Sequence, residues 1–177
     1  MAAEFKLKHV LFLTVFLTVF CTPTGYTGTY MGLAMSPIYI KTDTGSTNPL
    51  MANISLGYAK DAHKFELAVM SSIKDDNLNQ LTTDIPIASS LLYRYDVKLK
   101  NTLHLNLILG YSQVDIESSY VNVPGFTETF RGVSFGAGLE EALKSIPQLK
   151  FKIDFIQLYR GDQLSINSYN VGFRYEF

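Results

Sequence analysis

Residues 103–112 read LHLNLILGYS, and in this stretch the character of the side chain changes at every second position. Leu103, Leu105, Leu107 and Leu109 fall on one side, whereas the positions between them carry His, Asn and Ile. Successive side chains of a β-strand point to opposite faces. A period of two over ten residues therefore predicts a strand with one apolar face and one mainly polar face.

The same period recurs along the chain and predicts eight strands. They cover residues 30–39, 52–58, 64–69, 87–95, 103–112, 133–140, 150–155 and 169–177. The connections between them alternate between long and short. Long polar loops are predicted at residues 41–49, 72–86 and 115–131, with a shorter loop at 160–163, and short turns at 59–62, 96–100 and 142–148. Strands that run up and down place the long loops together at one end, so the sequence predicts an antiparallel up-and-down arrangement.

Composition limits the classes of function. The chain has 177 residues, one domain's worth, and its 15 Lys+Arg and 16 Asp+Glu give a net charge of -1. We therefore expect no nucleic-acid partner, and the sequence has no basic stripe or glycine-rich phosphate loop that would suggest one. With 47% hydrophobic and 18% charged residues the chain is expected to fold, and its single Cys rules out an internal disulfide.

The start of the chain has the features of a signal peptide. Lys6 and Lys8 precede an apolar run, VLFLTVFLTVF, at residues 10–20. This run is too short for a membrane-spanning helix, which needs about 20 apolar residues, but it has the length of a secretory signal. We predict a signal peptide at residues 1–21, with cleavage between residues 21 and 28, and a barrel domain at 22–177.

Two architectures fit eight such strands after a signal peptide. A soluble, lipocalin-like barrel places its apolar face inward around an apolar ligand, whereas an outer-membrane barrel places it outward against lipid. Charges of both signs on the polar face suit the water-exposed surface of the first and, if paired, the interior of the second. These charged residues are Lys64, Glu66, Arg94, Glu140, Lys150, Lys152, Asp154, Arg174 and Glu176.

Three features favour the membrane. The polar face is rich in glycine, which suits a crowded barrel interior; several strands end in Tyr or Phe on the apolar face, as in the aromatic girdles of membrane barrels; and the loops at the two ends differ in length. The fold class predicted is therefore all-β, an eight-stranded antiparallel up-and-down transmembrane β-barrel. Its interior charges are expected to pair, Arg94 or Arg174 with Glu66 or Glu140, and to plug the lumen.

The last nine residues, YNVGFRYEF, resemble the C-terminal signature strand of bacterial outer-membrane proteins. In that strand a terminal Phe follows aromatic or apolar residues at every second position. The resemblance implies that the barrel-assembly machinery reads these positions during insertion. They are Tyr169, Val171, Phe173, Tyr175 and Phe177.

Together with VSFGAGLEE at residues 133–141, the whole mature region resembles the small eight-stranded barrels that include the opacity proteins, the OmpX-like proteins and the OmpA transmembrane domain. Members of that family are adhesins, surface proteins of invasion or immune evasion, or structural components. The resemblance implies a non-enzymatic, monomeric protein of the bacterial outer membrane. Its expected partners are outer-membrane lipid, the assembly machinery, and a host or surface ligand at the long loops.

Catalytic readings are weaker than structural ones. His104 is the one His on a predicted strand, but a deacylase-like site would want a Ser two residues away, where Asn106 stands. Asp75 and Asp76 are expected to be solvated loop charges, and the RGD at residues 160–162 a charged turn. We assign no catalytic, cofactor-binding or metal-binding residue.

Overall fold

The computed structural model describes residues 28–43, 45–78, 81–120 and 125–177. The predicted signal peptide, residues 1–21, lies outside them. The described residues form β1 (Thr29–Thr42), β2 (Gly45–Thr47), β3 (Leu50–Lys60), β4 (His63–Lys74), β5 (Asp76–Leu78), β6 (Leu81–Lys98), β7 (Leu103–Tyr120), β8 (Phe126–Leu143), β9 (Ile146–Arg160) and β10 (Leu164–Glu176). Within this part of the chain, no helix is long and apolar enough to cross a membrane.

Eight of these strands form a closed wall. Each long strand pairs antiparallel with the next long strand in sequence, and β10 pairs with β1 from Tyr30↔Glu176 to Thr42↔Leu164. Closure leaves no free edge in the wall, so backbone groups are satisfied without water. The prediction of an eight-stranded antiparallel up-and-down barrel is confirmed.

The two short strands extend the wall at one end. β2 pairs with the end of β1 and β5 with the start of β6. The backbone N–H of Asn48 donates to Asp76 Oδ2 at 2.6 Å, which joins the two extensions. We call this the outer end; it carries the connections β1–β3, β4–β6, β7–β8 and β9–β10. The inner end carries the other turns, the start of β1 and the end of β10.

From the inner end to about Tyr111 the wall is apolar outside. Leu91, Leu107 and Val133 are 50–64% exposed, although a soluble protein buries such side chains in its core. Aromatic side chains face outward at both margins of this belt, with Tyr58, Tyr95 and Tyr175 near the inner end and Tyr111 and Tyr169 toward the outer end. A belt of this kind needs lipid around it. The soluble, lipocalin-like alternative, with its apolar face inside, is wrong.

Above this belt the polarity of the wall is reversed. On β7, Val114 and Ile116 point inward and are buried, whereas Asp115 and Glu117 point outward. The same holds on β1, where Ile38 is buried inside. Water rather than lipid surrounds this outer third, so its apolar residues form an interior core, as in a soluble barrel.

This reversal overturns the predicted long loops. Residues 72–86 and 115–131 are mostly strand: β4 continues to Lys74, β6 begins at Leu81, β7 ends at Tyr120 and β8 begins at Phe126. In the first predicted loop, residues 41–49, β1 reaches Thr42 and β2 follows. The loop prediction was wrong because Asp, Glu and Thr on the outward face were taken as a sign of loops. The alternation of polar and apolar residues in fact continues here, but with the apolar residues on the inward face. β7 extends nine residues beyond Tyr111, about 30 Å at roughly 3.4 Å per residue.

Candidate functional site

The inner half of the barrel interior holds a layer of buried charges. Seven charged side chains from β4, β6, β8, β9 and β10 are no more than 2% exposed. All are at even-numbered positions of their strands, which point into the lumen. They are Lys64, Glu66, Arg94, Glu140, Lys152, Asp154 and Arg174.

Arg94 is the centre of the first cluster. Its Nη1 and Nη2 donate to Asp154 Oδ1 and Oδ2, both at 2.9 Å, and Nη2 also donates to Glu66 Oε1 at 2.8 Å. Lys152 Nζ lies 3.7 Å from Asp154 Oδ2. This Arg94 cluster of two cations and two carboxylates is neutral overall, and the fork of the guanidinium holds the carboxylate of Asp154 in a fixed orientation.

Glu140 is the centre of the second cluster. It accepts from Arg174 Nη1 at 2.7 Å and from Lys64 Nζ at 3.0 Å. Lys64 Nζ also contacts Asp96 Oδ2 at 2.7 Å. At the inner edge, Glu176 Oε1 accepts from Arg174 Nη2 and from Lys150 Nζ, each at 2.8 Å. This Glu140 cluster is balanced as well, with the cations Lys64, Lys150 and Arg174 against Asp96, Glu140 and Glu176.

All nine charges that the sequence placed on the polar face thus lie in these two clusters. Asp96 was missed, because the sequence assigned residue 96 to a turn, whereas it lies on β6. Its Oδ1 contacts His104 Nδ1 at 2.7 Å. The alternation of Arg94 and Asp96 on one face was the signal that could have found it. Asn106, which stands where a catalytic Ser was sought, accepts from Lys64 Nζ at 3.0 Å.

Two glycines make room for this layer. A Cβ on Gly138 would overlap the carboxylate of Asp154, and a Cβ on Gly57 would overlap the ring of Tyr30. That ring in turn lies 4.7 Å from Cζ of Arg174, within the range of a cation–π contact. The glycines of the polar face thus permit side chains from neighbouring strands to reach across them.

Above the charges lies a layer of hydroxyl and amide groups. Ser112 is hydrogen-bonded at 2.6 Å to both Ser90 and Ser134, so one row of hydroxyls connects three strands. On the other side of the barrel, Asn170 Oδ1 accepts from Ser36 at 2.5 Å and from Ser168 at 2.8 Å. The apolar core of the outer third begins above these groups.

The outer end opens into a cavity of about 740 Å³, which we call the outer vestibule. Its floor is apolar and belongs to the outer core. Its margin is polar and includes three carboxylates. The floor residues are Ile40, Ile116, Phe130, Tyr159 and Leu164, and the margin carries Asp43, Glu128 and Asp162. Sequence reasoning missed this site, because most of its lining residues fall in the four segments that were predicted to be loops.

The outer end as a whole is acidic. Eight carboxylates lie on it or on the wall just below: Asp43, Asp75, Asp76, Asp84, Asp115, Glu117, Glu128 and Asp162. Four cations accompany them: Lys41, Lys74, Arg131 and Arg160. The RGD sequence also lies at this end. Arg160 is the last residue of β9, and Asp162 lies in a tight turn in which the Gly161 N–H donates to the Leu164 C=O at 2.8 Å.

No group of three His, Cys, Asp or Glu side chains that could hold a metal ion occurs among the described residues. His63 lies on the outside of the wall, where its Nδ1 contacts the hydroxyl of Tyr93 at 2.7 Å.

The sequence matches a family model for the outer membrane protein β-barrel domain over residues 12–177. The chain belongs to the outer-membrane β-barrel family. It is therefore a protein of the bacterial outer membrane, and the apolar belt is its lipid-facing surface. No curated protein has a sequence that matches this chain.

Solved structures of other outer-surface proteins share the fold. Ail, the attachment invasion locus protein of Yersinia pestis, was crystallised with the heparin analogue sucrose octasulfate. It has 14% sequence identity and a TM-score of 0.64, over 85% of this chain and 99% of Ail. The Neisserial surface protein A has the same identity and TM-score, over 85% of this chain and 97% of its own. At this identity the likeness concerns the fold alone.

Five alternate side chains of this outer-membrane β-barrel, at the end of β10, face the lipid. Tyr169, Val171, Phe173, Tyr175 and Phe177 are all outward and 42–58% exposed. The backbone N–H of Phe177 donates to Thr29 C=O at 3.0 Å. Phe177 therefore takes part in the contact between β10 and β1 that closes the barrel.

Proposed function

We propose that this outer-membrane β-barrel is a non-enzymatic surface protein, adhesin-like or structural, which displays its outer third to the medium and whose lumen is closed. The observation that carries the proposal is the arrangement of the interior: a balanced charge layer below, and an apolar core above it that supports the displayed strands.

Closure of the lumen is supported by size and by pairing. The interior of an eight-stranded barrel is just wide enough to be filled by side chains. Here seven charged side chains point into the same part of the lumen with 2% exposure or less, and six of them form contacts of 2.7–3.0 Å with one another. An ion crossing this layer would have to separate Arg94 from Asp154 or Arg174 from Glu140, which is costly in a low-dielectric interior.

Display is supported by the outer third. β6, β7 and β8 pack around its apolar core beyond the lipid, and their outward side chains are polar. The surplus of carboxylates disfavours a polyanionic partner of the kind bound by Ail, since like charges repel. A binding surface on this chain would accept neutral or cationic groups.

We also propose that the outward row on β10, which ends at Phe177, is read by the barrel-assembly machinery. Its support is the side-chain pattern of the strand together with its place at the closing seam of the barrel.

Cysteine labelling tests the orientation on which display depends. In a Cys21→Ser background, Gln163→Cys places a thiol at the exposed outer turn, and Lys100→Cys places one at the exposed inner turn. A membrane-impermeant maleimide added to intact cells should label the first and not the second. Both should react after the outer membrane is permeabilised. Labelling of Lys100→Cys alone in intact cells would refute display of the outer end.

A further inference from the structure

The outer vestibule combines an apolar floor with an acidic margin, and neither feature is needed to close the barrel. Ile40 and Ile116 are 3% and 6% exposed and belong to the outer core, whereas Phe130, Tyr159 and Leu164 are only partly buried. The rings of Phe130 and Tyr159 pack with centroids 5.4 Å apart. An aromatic pair is thus partly open to a cavity of about 740 Å³. This volume falls in the range of small-molecule sites, roughly 300–1,000 Å³.

The negative charge of the margin determines which charge an apolar ligand should carry. Asp43, Glu128 and Asp162 line the cavity, and no Lys, Arg or His does so within the described residues. The four cations of the outer end lie elsewhere on it; Arg131, for example, points to the outside of β8, where its Nε donates to Gln113 at 2.8 Å. Carboxylates at the edge and aromatic side chains on the floor both favour a positively charged group.

We propose that the outer vestibule binds a small amphipathic organic cation, an aryl or alkyl group that carries an ammonium. The apolar part covers Phe130, Tyr159 and Leu164, and the ammonium lies among the carboxylates of the margin. This proposal deepens the display function, because it names the class of ligand taken at the displayed end. It does not depend on closure of the lumen, which conductance tests separately.

The chain has no Trp, so one introduced indole reports from one place. Phe130→Trp keeps an aromatic ring on the floor of the vestibule. The barrel with this change, folded in a neutral maltoside detergent, is titrated with phenylbutylammonium, and then with two close analogues, phenylbutanol and phenylbutanoate. Calorimetry on the unchanged chain repeats the titrations without the substitution.

We expect saturable binding of the ammonium, about tenfold tighter than that of the alcohol, with the carboxylate weakest. Glu128→Gln together with Asp162→Asn should bring the ammonium and the alcohol to within about twofold of each other. Glu117→Gln is the matched control: it removes a carboxylate from β7 next to Ile116, but on the outer side of the wall, and should leave the tenfold preference intact.

Other results would overturn the proposal. Equal affinity for all three probes in the unchanged chain would mean that the margin does not select charge. Tighter binding of phenylbutanoate than of phenylbutylammonium would show an anion site. An absence of saturable binding by any probe would mean that the vestibule is only a surface depression. If Gln163→Cys but not Lys100→Cys is labelled in intact cells and any of these binding results is obtained, the proposal of display stands and the proposal of a cationic ligand fails.

Discussion

Arg94 on β6 and Asp154 on β9 are joined by two parallel hydrogen bonds of 2.9 Å across the lumen. β7 and β8 separate the two strands in the wall, so this contact crosses the interior rather than following the sheet. Each partner is 1% exposed. The pair therefore links non-adjacent strands of the barrel at a depth where neither charge is exposed to solvent.

Loss of Arg94 should destabilise the barrel strongly. Arg94→Met keeps much of the side-chain volume but leaves Asp154 and Glu66 without their shared cation. Removing one partner of a buried pair costs about 3–5 kcal/mol. Urea unfolding in lipid vesicles measures the change in the free energy of unfolding, and the heat-modifiable shift on gels should occur at lower temperature.

Arg131→Met is the control for Arg94→Met. Arg131 is exposed on the outside of the wall and bonds to Gln113. Its loss should change the free energy of unfolding by no more than about 0.5 kcal/mol. Equal effects of the two substitutions would show that the cross-lumen pair carries no special weight.

A side chain at position 138 should disturb the same pair from the neighbouring strand. Gly138→Val places methyl groups where the carboxylate of Asp154 lies, and overpacking of this kind costs about 1–3 kcal/mol. Ala137→Val adds two methyl groups one residue earlier, on the lipid face, and should be neutral. Urea unfolding midpoints of the two variants measure the difference. A Gly138→Val barrel that is more stable than the Ala137→Val barrel would contradict a crowded interior.

The fold could be predicted from the sequence in the part of each strand that has lipid on one face and the polar interior on the other. Leu103 to Leu109 alternate against a polar face because lipid is outside, and strand number, direction and closure followed from that pattern. Beyond Tyr111 the outside becomes water, so the inward positions of β7 carry the apolar residues Val114 and Ile116 and the outward positions carry polar ones. The period of two is the same, but the polar and apolar faces are exchanged. If the apolar face is assumed to point outward along the whole barrel, this region is taken for loops.

The reversed polarity predicts opposite tolerance at neighbouring positions of β7. Ile116→Asn buries an amide in the apolar outer core and should cost at least about 2 kcal/mol. Glu117→Asn exchanges one polar group for another on the outside and should cost little. Limited proteolysis of the folded protein should cut the outer part of β7 or β8 faster only in Ile116→Asn. Equal cleavage of both variants would argue against a packed outer third.

The site was less predictable than the fold. Pairing of Arg94 with Glu66 and of Arg174 with Glu140 was foreseeable from face and sign, because an interior without water requires partners. Asp96 escaped because it sits next to a turn. The outer vestibule escaped because Ile40, Phe130 and Tyr159 come from three separate strands, and no local pattern shows that they meet.

Phe177 should matter for assembly in cells more than for stability. Phe177→Ser removes the terminal aromatic side chain but keeps the backbone N–H that donates to Thr29. We expect slower insertion, seen as unfolded protein in pulse-labelled cells, with an unfolding free energy in vesicles changed by less than about 1 kcal/mol. Val133→Ser, a lipid-facing change on β8, is the control. If both variants insert at the same rate, the C-terminal row is not a specific signal.

Single-channel conductance across a planar lipid bilayer tests the closed lumen most directly. The purified, folded barrel is added at neutral pH, and a large water-filled porin in the same bilayer serves as the positive control. We predict no stable stepwise openings by the unchanged chain, because an ion would have to separate the buried charge pairs of the Arg94 and Glu140 clusters. Reproducible openings of constant size would contradict closure and would make this barrel a channel.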